Sequence, residues 1–142
     1  MLDSPAVSAP ALDWEPLIAA ARSARERAYA PYSRFRVGAA LLASDGRVFA
    51  GCNVENRTFG LTVCAERSAV LQAVAAGAGK PVALAVVADA SPKAPPCGMC
   101  RETLAEFADD LPILLVDSHG DREELRLAEI FPRPFVFPTG PR

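Results

Sequence analysis

The chain has 142 residues, enough for one domain, and 51% of them are hydrophobic against 23% charged. That is too much apolar material for a disordered chain, and no apolar run approaches the roughly 18 residues of a membrane span. A formal net charge of −2, without a stripe of arginine and lysine, argues against a polynucleotide ligand.

Residues 1–12, which open as MLDSPAVSAP, are small, proline-containing and aperiodic, and read as a loose arm. They lack the basic start and long apolar stretch of a secretory signal, so a cytoplasmic protein with reduced cysteines is expected. Asp13 can cap a helix that begins near Trp14, with Leu17, Ala20, Ala21, Ala24 and Ala28 at helical spacing. Arg22, Arg25, Glu26 and Arg27 occupy its other side. RFRVGAALLA (34–43) then reads as a buried strand, SDGR as a hairpin turn and VFAGCNV (48–54) as the returning strand. ENRTFGL is a loop.

A helix follows from about Cys64 to Ala76 and stops at Gly77. PVALAVVA has no polar alternation, as expected of a strand covered on both faces. A further helix from about Cys97 to Ala108, a strand PILLV, a turn DSHGD, a strand EELRL and a helical turn AEIF complete the body. The end of the chain is proline-rich. This order predicts an α/β fold, a mixed five-stranded sheet with helices on both faces. The last two strands have only a short turn between them and must be antiparallel.

Four cysteines punctuate this pattern, at positions 52, 64, 97 and 100. Cys97 and Cys100 are three apart and share one helix face. With Cys64 at the start of another helix, three thiolates can converge. Three protein ligands and one open position are the catalytic zinc arrangement, and soft thiolates select zinc over magnesium or calcium. Helix N-termini also favour the thiolate form. Small buried hydrophobes and a redox C-x-x-C pair are the simpler alternatives, but neither accounts for Glu66 beside Cys64. Glu66 by itself could be a first-turn acid favoured by the helix dipole. Cys52 falls outside the ligand pattern and reads as a buried strand residue. His119, the one histidine, reads as a turn residue rather than a ligand.

CAE at 64–66 followed by PCGMC at 96–100 resembles the zinc deaminase signature. RFRVGAALLASDGRVFAGCNVEN, GLTVCAERSAVLQAV and PCGMCRETLAEF together resemble the homotetrameric cytidine deaminases of pyrimidine salvage, over most of residues 14–137. The resemblance implies a three-layer α/β/α cytidine deaminase-like fold in one domain at 13–137, with an arm at 1–12 and a tail at 138–142. It implies one Zn²⁺ per chain on Cys64, Cys97 and Cys100. The implied activity is hydrolytic deamination of cytidine and 2′-deoxycytidine to uridine and 2′-deoxyuridine plus ammonia. A zinc-bound hydroxide would attack, with Glu66 as proton shuttle. Three thiolates over-neutralise the metal, and Arg67 together with the two helix N-termini would offset the excess charge. The resemblance assigns the sugar to Asn53 and Glu55 and base stacking to Phe35. It assigns Phe135 to a neighbouring chain's site in a homotetramer, with a pyrimidine nucleoside as substrate, and no nucleic acid or membrane as partner.

Three positions depart from the family pattern. Arg57 and Phe59 stand where a small residue and a tyrosine are usual, and Glu102 stands where glutamine is. The extra acid at 102 calls for a compensating partner. Arg57 and Phe59 keep open a different or modified aminopyrimidine nucleoside, blasticidin-like, as substrate. A non-catalytic structural zinc module is the remaining alternative.

Overall fold

The computed structural model describes residues 11–139, so most of the expected arm at 1–12 and the end of the tail lie outside the described residues. The elements run α1 (Glu15–Arg25), β1 (Val37–Ala43), β2 (Val48–Cys52), α2 (Ala65–Ala75), β3 (Pro81–Ala88), α3 (Gly98–Phe107), β4 (Pro112–Val116), β5 (Arg122–Arg126) and α4 (Leu127–Ile130). A short 3-10 turn at Phe59–Leu61 interrupts the loop before α2.

The five strands form one sheet in the order β2-β1-β3-β4-β5. Only β3 and β4 are parallel, and α3 is their crossover. The β4–β5 pair is antiparallel, as its short turn requires. β3 is central and its residues from Ala83 onward are buried. Its Leu84 and Val86 face a core built with Ala69, Val70 and Leu104 of α2 and α3. Its Ala83, Ala85 and Val87 face a second core closed by Leu17, Ile18 and Ala21 of α1. Helices thus cover both faces, giving three layers. Periodic alternation on β3 is invisible in the sequence because both of its faces are apolar.

Glycine sets two close approaches. A Cβ on Gly38 would overlap the carbonyl oxygen of Ala21, so β1 lies directly against the α1 backbone. A Cβ on Gly51 would sit 2.5 Å from the Ala69 nitrogen and 2.7 Å from the Ala65 oxygen, so β2 presses on the first turns of α2.

Three expected boundaries move by more than one residue: β2 ends at Cys52 rather than Val54, and α1 and β1 are also shorter. α1 ends at Arg25, before Ala28, and Ile18 rather than Ala24 completes its buried face. β1 starts at Val37, not Arg34. Arg34 has a φ of 58°, and a left-handed residue cannot continue a strand. Residues 31–36 instead form a turn and an irregular approach held by long-range side chains, described below. The turn after β4 is organised by buried Asp117, whose Oδ1 accepts the N–H groups of His119 and Asp121 at 2.9 and 3.0 Å. Lys93 reaches the other Asp117 oxygen at 3.7 Å, which ties this turn to the loop that leads into Cys97.

Candidate active site

Cys64 and Cys97 occupy the N-cap positions of α2 and α3. An N-cap side chain ordinarily bonds back to its own helix, but neither cysteine does so here, which leaves both sulfurs free to point outward. Cys100 lies in the first turn of α3 and is fully buried. Cys64 Sγ is 3.6 Å from Cys97 Sγ, and Cys97 Sγ is 3.5 Å from Cys100 Sγ. All three ligand atoms lie within 4.8 Å of one another.

These separations are far too long for a disulfide of about 2.05 Å. They are close to the spacing of about 3.8 Å that sulfurs adopt around a tetrahedral ion with metal–sulfur bonds of about 2.3 Å. The donor set is soft, and two positive helix ends point at it. The chain therefore fits zinc at Cys64, Cys97 and Cys100.

The three sulfurs already share charge. The Cys64 thiol is lowered to about 5, chiefly by its Cys100 neighbour, with Arg67 and Cys97 adding to the effect. Cys100 is pushed up in turn. Arg67 anchors one end of this arrangement. Its Nη2 donates to the Thr62 carbonyl at 2.9 Å and lies 3.8 Å from Cys64 Sγ.

Glu66 follows two residues after Cys64 and is 5% exposed. Its Oε2 is 3.7 Å from Cys100 Sγ. Burial raises the carboxyl to about 7, and the negative Cys64 sulfur adds to the shift. An acid on the buried face of a helix against three sulfurs, with its carboxyl raised by burial, is the kind of perturbed group that clusters at functional sites.

Asn53 and Glu55 lie just past β2. Asn53 is buried, and its amide bridges two backbone groups. Oδ1 accepts the Val37 N–H at 2.8 Å and Nδ2 donates to the Phe35 carbonyl at 2.7 Å. Glu55 Oε1 accepts the Tyr32 and Ser33 N–H groups at 2.9 and 3.1 Å. Phe35 is half-buried against the core between sheet, α2 and α3. Phe135 is 72% exposed and stacks edge-on against Phe137, with centroids 5.5 Å apart.

The departures from the family pattern are all at the surface. Phe59 is 71% exposed and meets the Tyr32 ring edge-on at 5.6 Å. Arg57 is exposed. Glu102 is also exposed, so solvent screens it and the expected compensating partner is unnecessary. Cys52 is half-exposed on edge strand β2 rather than buried. His119 lies in the β4–β5 turn, away from the cysteine cluster. One contributor is not evident in the sequence. Arg101 donates from Nε to the Pro96 carbonyl at 2.8 Å and from Nη1 to the Ile130 carbonyl at 3.1 Å, fixing the Cys97 loop to α4. Its place directly after C-x-x-C is the only local signal.

The profile of a family described as the cytidine and deoxycytidylate deaminase zinc-binding region matches residues 13–114. The cytidine deaminase of Sporosarcina psychrophila is 49% identical over 125 residues, covering 87% of this chain and 92% of the relative. The cytidine deaminase of Mycobacterium tuberculosis H37Rv is 44% identical over 133 residues, covering 94% and 97%. Among solved structures, the cytidine deaminase from Burkholderia pseudomallei superposes with a TM-score of 0.83 at 44% identity, covering 87% of this chain and all of that one.

Freshly purified protein should carry about one zinc per chain by elemental analysis. Cys100→Ser should lose most of it after dialysis against a chelator, while Cys52→Ser should retain the wild-type content. Equal zinc in both variants would remove Cys100 from the ligand set.

Proposed function

The chain belongs to the cytidine and deoxycytidylate deaminase zinc-binding family, and from that premise we propose that it deaminates cytidine and 2′-deoxycytidine hydrolytically, releasing uridine or 2′-deoxyuridine and ammonia. The observation that carries the mechanism is the buried Glu66 carboxyl beside the three-sulfur cluster. Zinc held by Cys64, Cys97 and Cys100 supplies Lewis acidity that brings the pKa of a water close to neutrality.

The remaining work falls to the chain's own groups. Glu66 accepts a proton from the attacking water and delivers it to N3 of the pyrimidine as the water oxygen bonds to C4. It then passes the second water proton to the 4-amino group. The C4–N bond breaks, ammonia leaves and a carbonyl remains at C4. A carboxyl buried beside the cysteine cluster is positioned for both directions of transfer. Arg67 stabilises the negative sulfur of Cys64, and the two helix ends offset the charge that three thiolates add.

We assign the ribose 3′-hydroxyl to Asn53 and Glu55. Asn53 keeps one amide N–H beyond its two backbone bonds, and Glu55 keeps its second oxygen. Phe35 stacks on the base. Residues 13–137 form the single catalytic domain, in a cytoplasmic protein that acts on free nucleosides. The assembly is a homotetramer in which Phe135 completes a neighbour's site. Two features support that reading. Cys97 is exposed in the single chain, and the proline-flanked Phe135 has little contact with its own domain. A modified aminopyrimidine nucleoside is the second reading, favoured only by the exposed Arg57 and Phe59 on the loop after Glu55.

Glu66→Gln should retain zinc yet lose at least about 10²–10⁴-fold in turnover of cytidine, followed by product absorbance. Near-normal turnover would remove Glu66 from the reaction, and a panel in which only a modified nucleoside reacts would move the substrate reading. Co-assembly of Glu66→Gln chains with Phe135→Ala chains should restore wild-type affinity at some sites. A mixture that merely averages its parents, once subunit exchange is verified, would place Phe135 in its own chain.

A further inference from the structure

Phe35 belongs to no regular element. The preceding Arg34 is left-handed, and the strand ladder begins only at Val37, opposite Ala88. A stacking ring on such a segment needs its backbone fixed from outside. Asn53 holds one side of it, as described above, and Ser33 Oγ accepts the Phe35 N–H at 3.0 Å.

The other side is held by Asp89, the residue after β3. Its N–H donates to the Arg36 carbonyl at 3.1 Å, extending the β1–β3 pairing one step beyond Val37. Its Oδ2 accepts from Arg36 Nε at 3.2 Å, and its Oδ1 lies 3.2 Å from a terminal nitrogen of Arg25 at the end of α1. Glu26 closes a ring. It is 3.1 Å from the second Arg25 nitrogen and 3.8 Å from an Arg36 nitrogen. The side chains of Asp89 and Arg25 are 30% and 20% exposed, so these links are partly shielded from solvent. Charges that alternate around a closed ring hold one geometry better than isolated surface pairs do.

We propose that Asp89 is a positioning residue for Phe35: through Arg36 it fixes the segment that presents the stacking ring to the pyrimidine. The proposal rests on the stacking role assigned to Phe35. Asp89 touches neither the cysteines nor Glu66 among its recorded polar contacts, so its effect falls on substrate affinity rather than on chemistry.

The test is a double-mutant cycle read on KM for cytidine in the zinc-loaded enzyme. Arg36→Ala breaks the side-chain link to the Phe35 segment while leaving Arg25 to neutralise Asp89, and Asp89→Ala removes both carboxylate contacts while keeping the backbone bond to Arg36. Each should raise KM about fivefold with kcat nearly unchanged, and Arg36→Lys should recover part of the loss. In the Phe35→Ala background neither change should raise KM further, which a merely structural role would not produce. If Phe35→Ala itself leaves KM unchanged, the stacking assignment falls and the proposal with it. If Phe35→Ala raises KM but Arg36→Ala does not, or if their effects multiply, the proposal alone is overturned. Should Asp89→Ala fail to fold, the Arg36→Ala cycle decides by itself.

Discussion

Two helix N-termini aimed at one point organise the whole molecule. α2 and α3 begin at Cys64 and Cys97, and their first turns bring the three sulfurs within 4.8 Å. Each helix is placed by the sheet. Gly51 lets β2 lie against the start of α2, and the parallel β3–β4 pairing makes α3 a crossover. Neither N-cap thiol caps its own helix, so the orphaned helix ends add positive field at the sulfurs instead of being quenched locally.

Concentrating three thiols and a carboxyl in one place is costly for folding, and the electrostatics record that cost. The Cys64 sulfur takes the negative charge, and Arg67 lies beside it. Glu66 cannot readily ionise in the same space, since burial and the charged sulfur both oppose it. A metal cation relieves the crowding by replacing the shared protons, which is why a donor set of this kind accounts for itself only when a soft cation is its partner. With a cation beside it in place of the negative sulfur's uncompensated charge, the Glu66 carboxyl ionises more readily and can accept the proton that the proposed chemistry requires.

Much of this was legible in the sequence. The two helix starts, the cysteine spacing and the acid beside Cys64 are local patterns, and PVALAVVA matches β3 residue for residue. The short β4–β5 turn fixed the antiparallel pair by reach alone. What escaped is long-range. The strand reading ran back to Arg34 because RFRV looks extended, whereas side chains of Asn53 and Glu55, about twenty residues away, hold that stretch in an irregular path. No local pattern announces a side chain bonding to remote backbone. Alanines dominate the α1 stripe and hide Ile18, although the branched side chain is what fills the core. The expected partner for Glu102 followed from charge counting alone and overlooked exposure. Asp89 is an ordinary residue at the end of a strand by sequence, and only its contacts to Arg25 and Arg36 distinguish it.

Zinc on three cysteines of one chain, with a position left open beside Glu66, has a signature in X-ray absorption at the zinc edge of the loaded protein. Three sulfur scatterers and one oxygen are expected in the zinc shell, as an open catalytic site requires. A shell of four protein donors, whether a fourth sulfur or the Glu66 carboxylate bound directly, would contradict this arrangement.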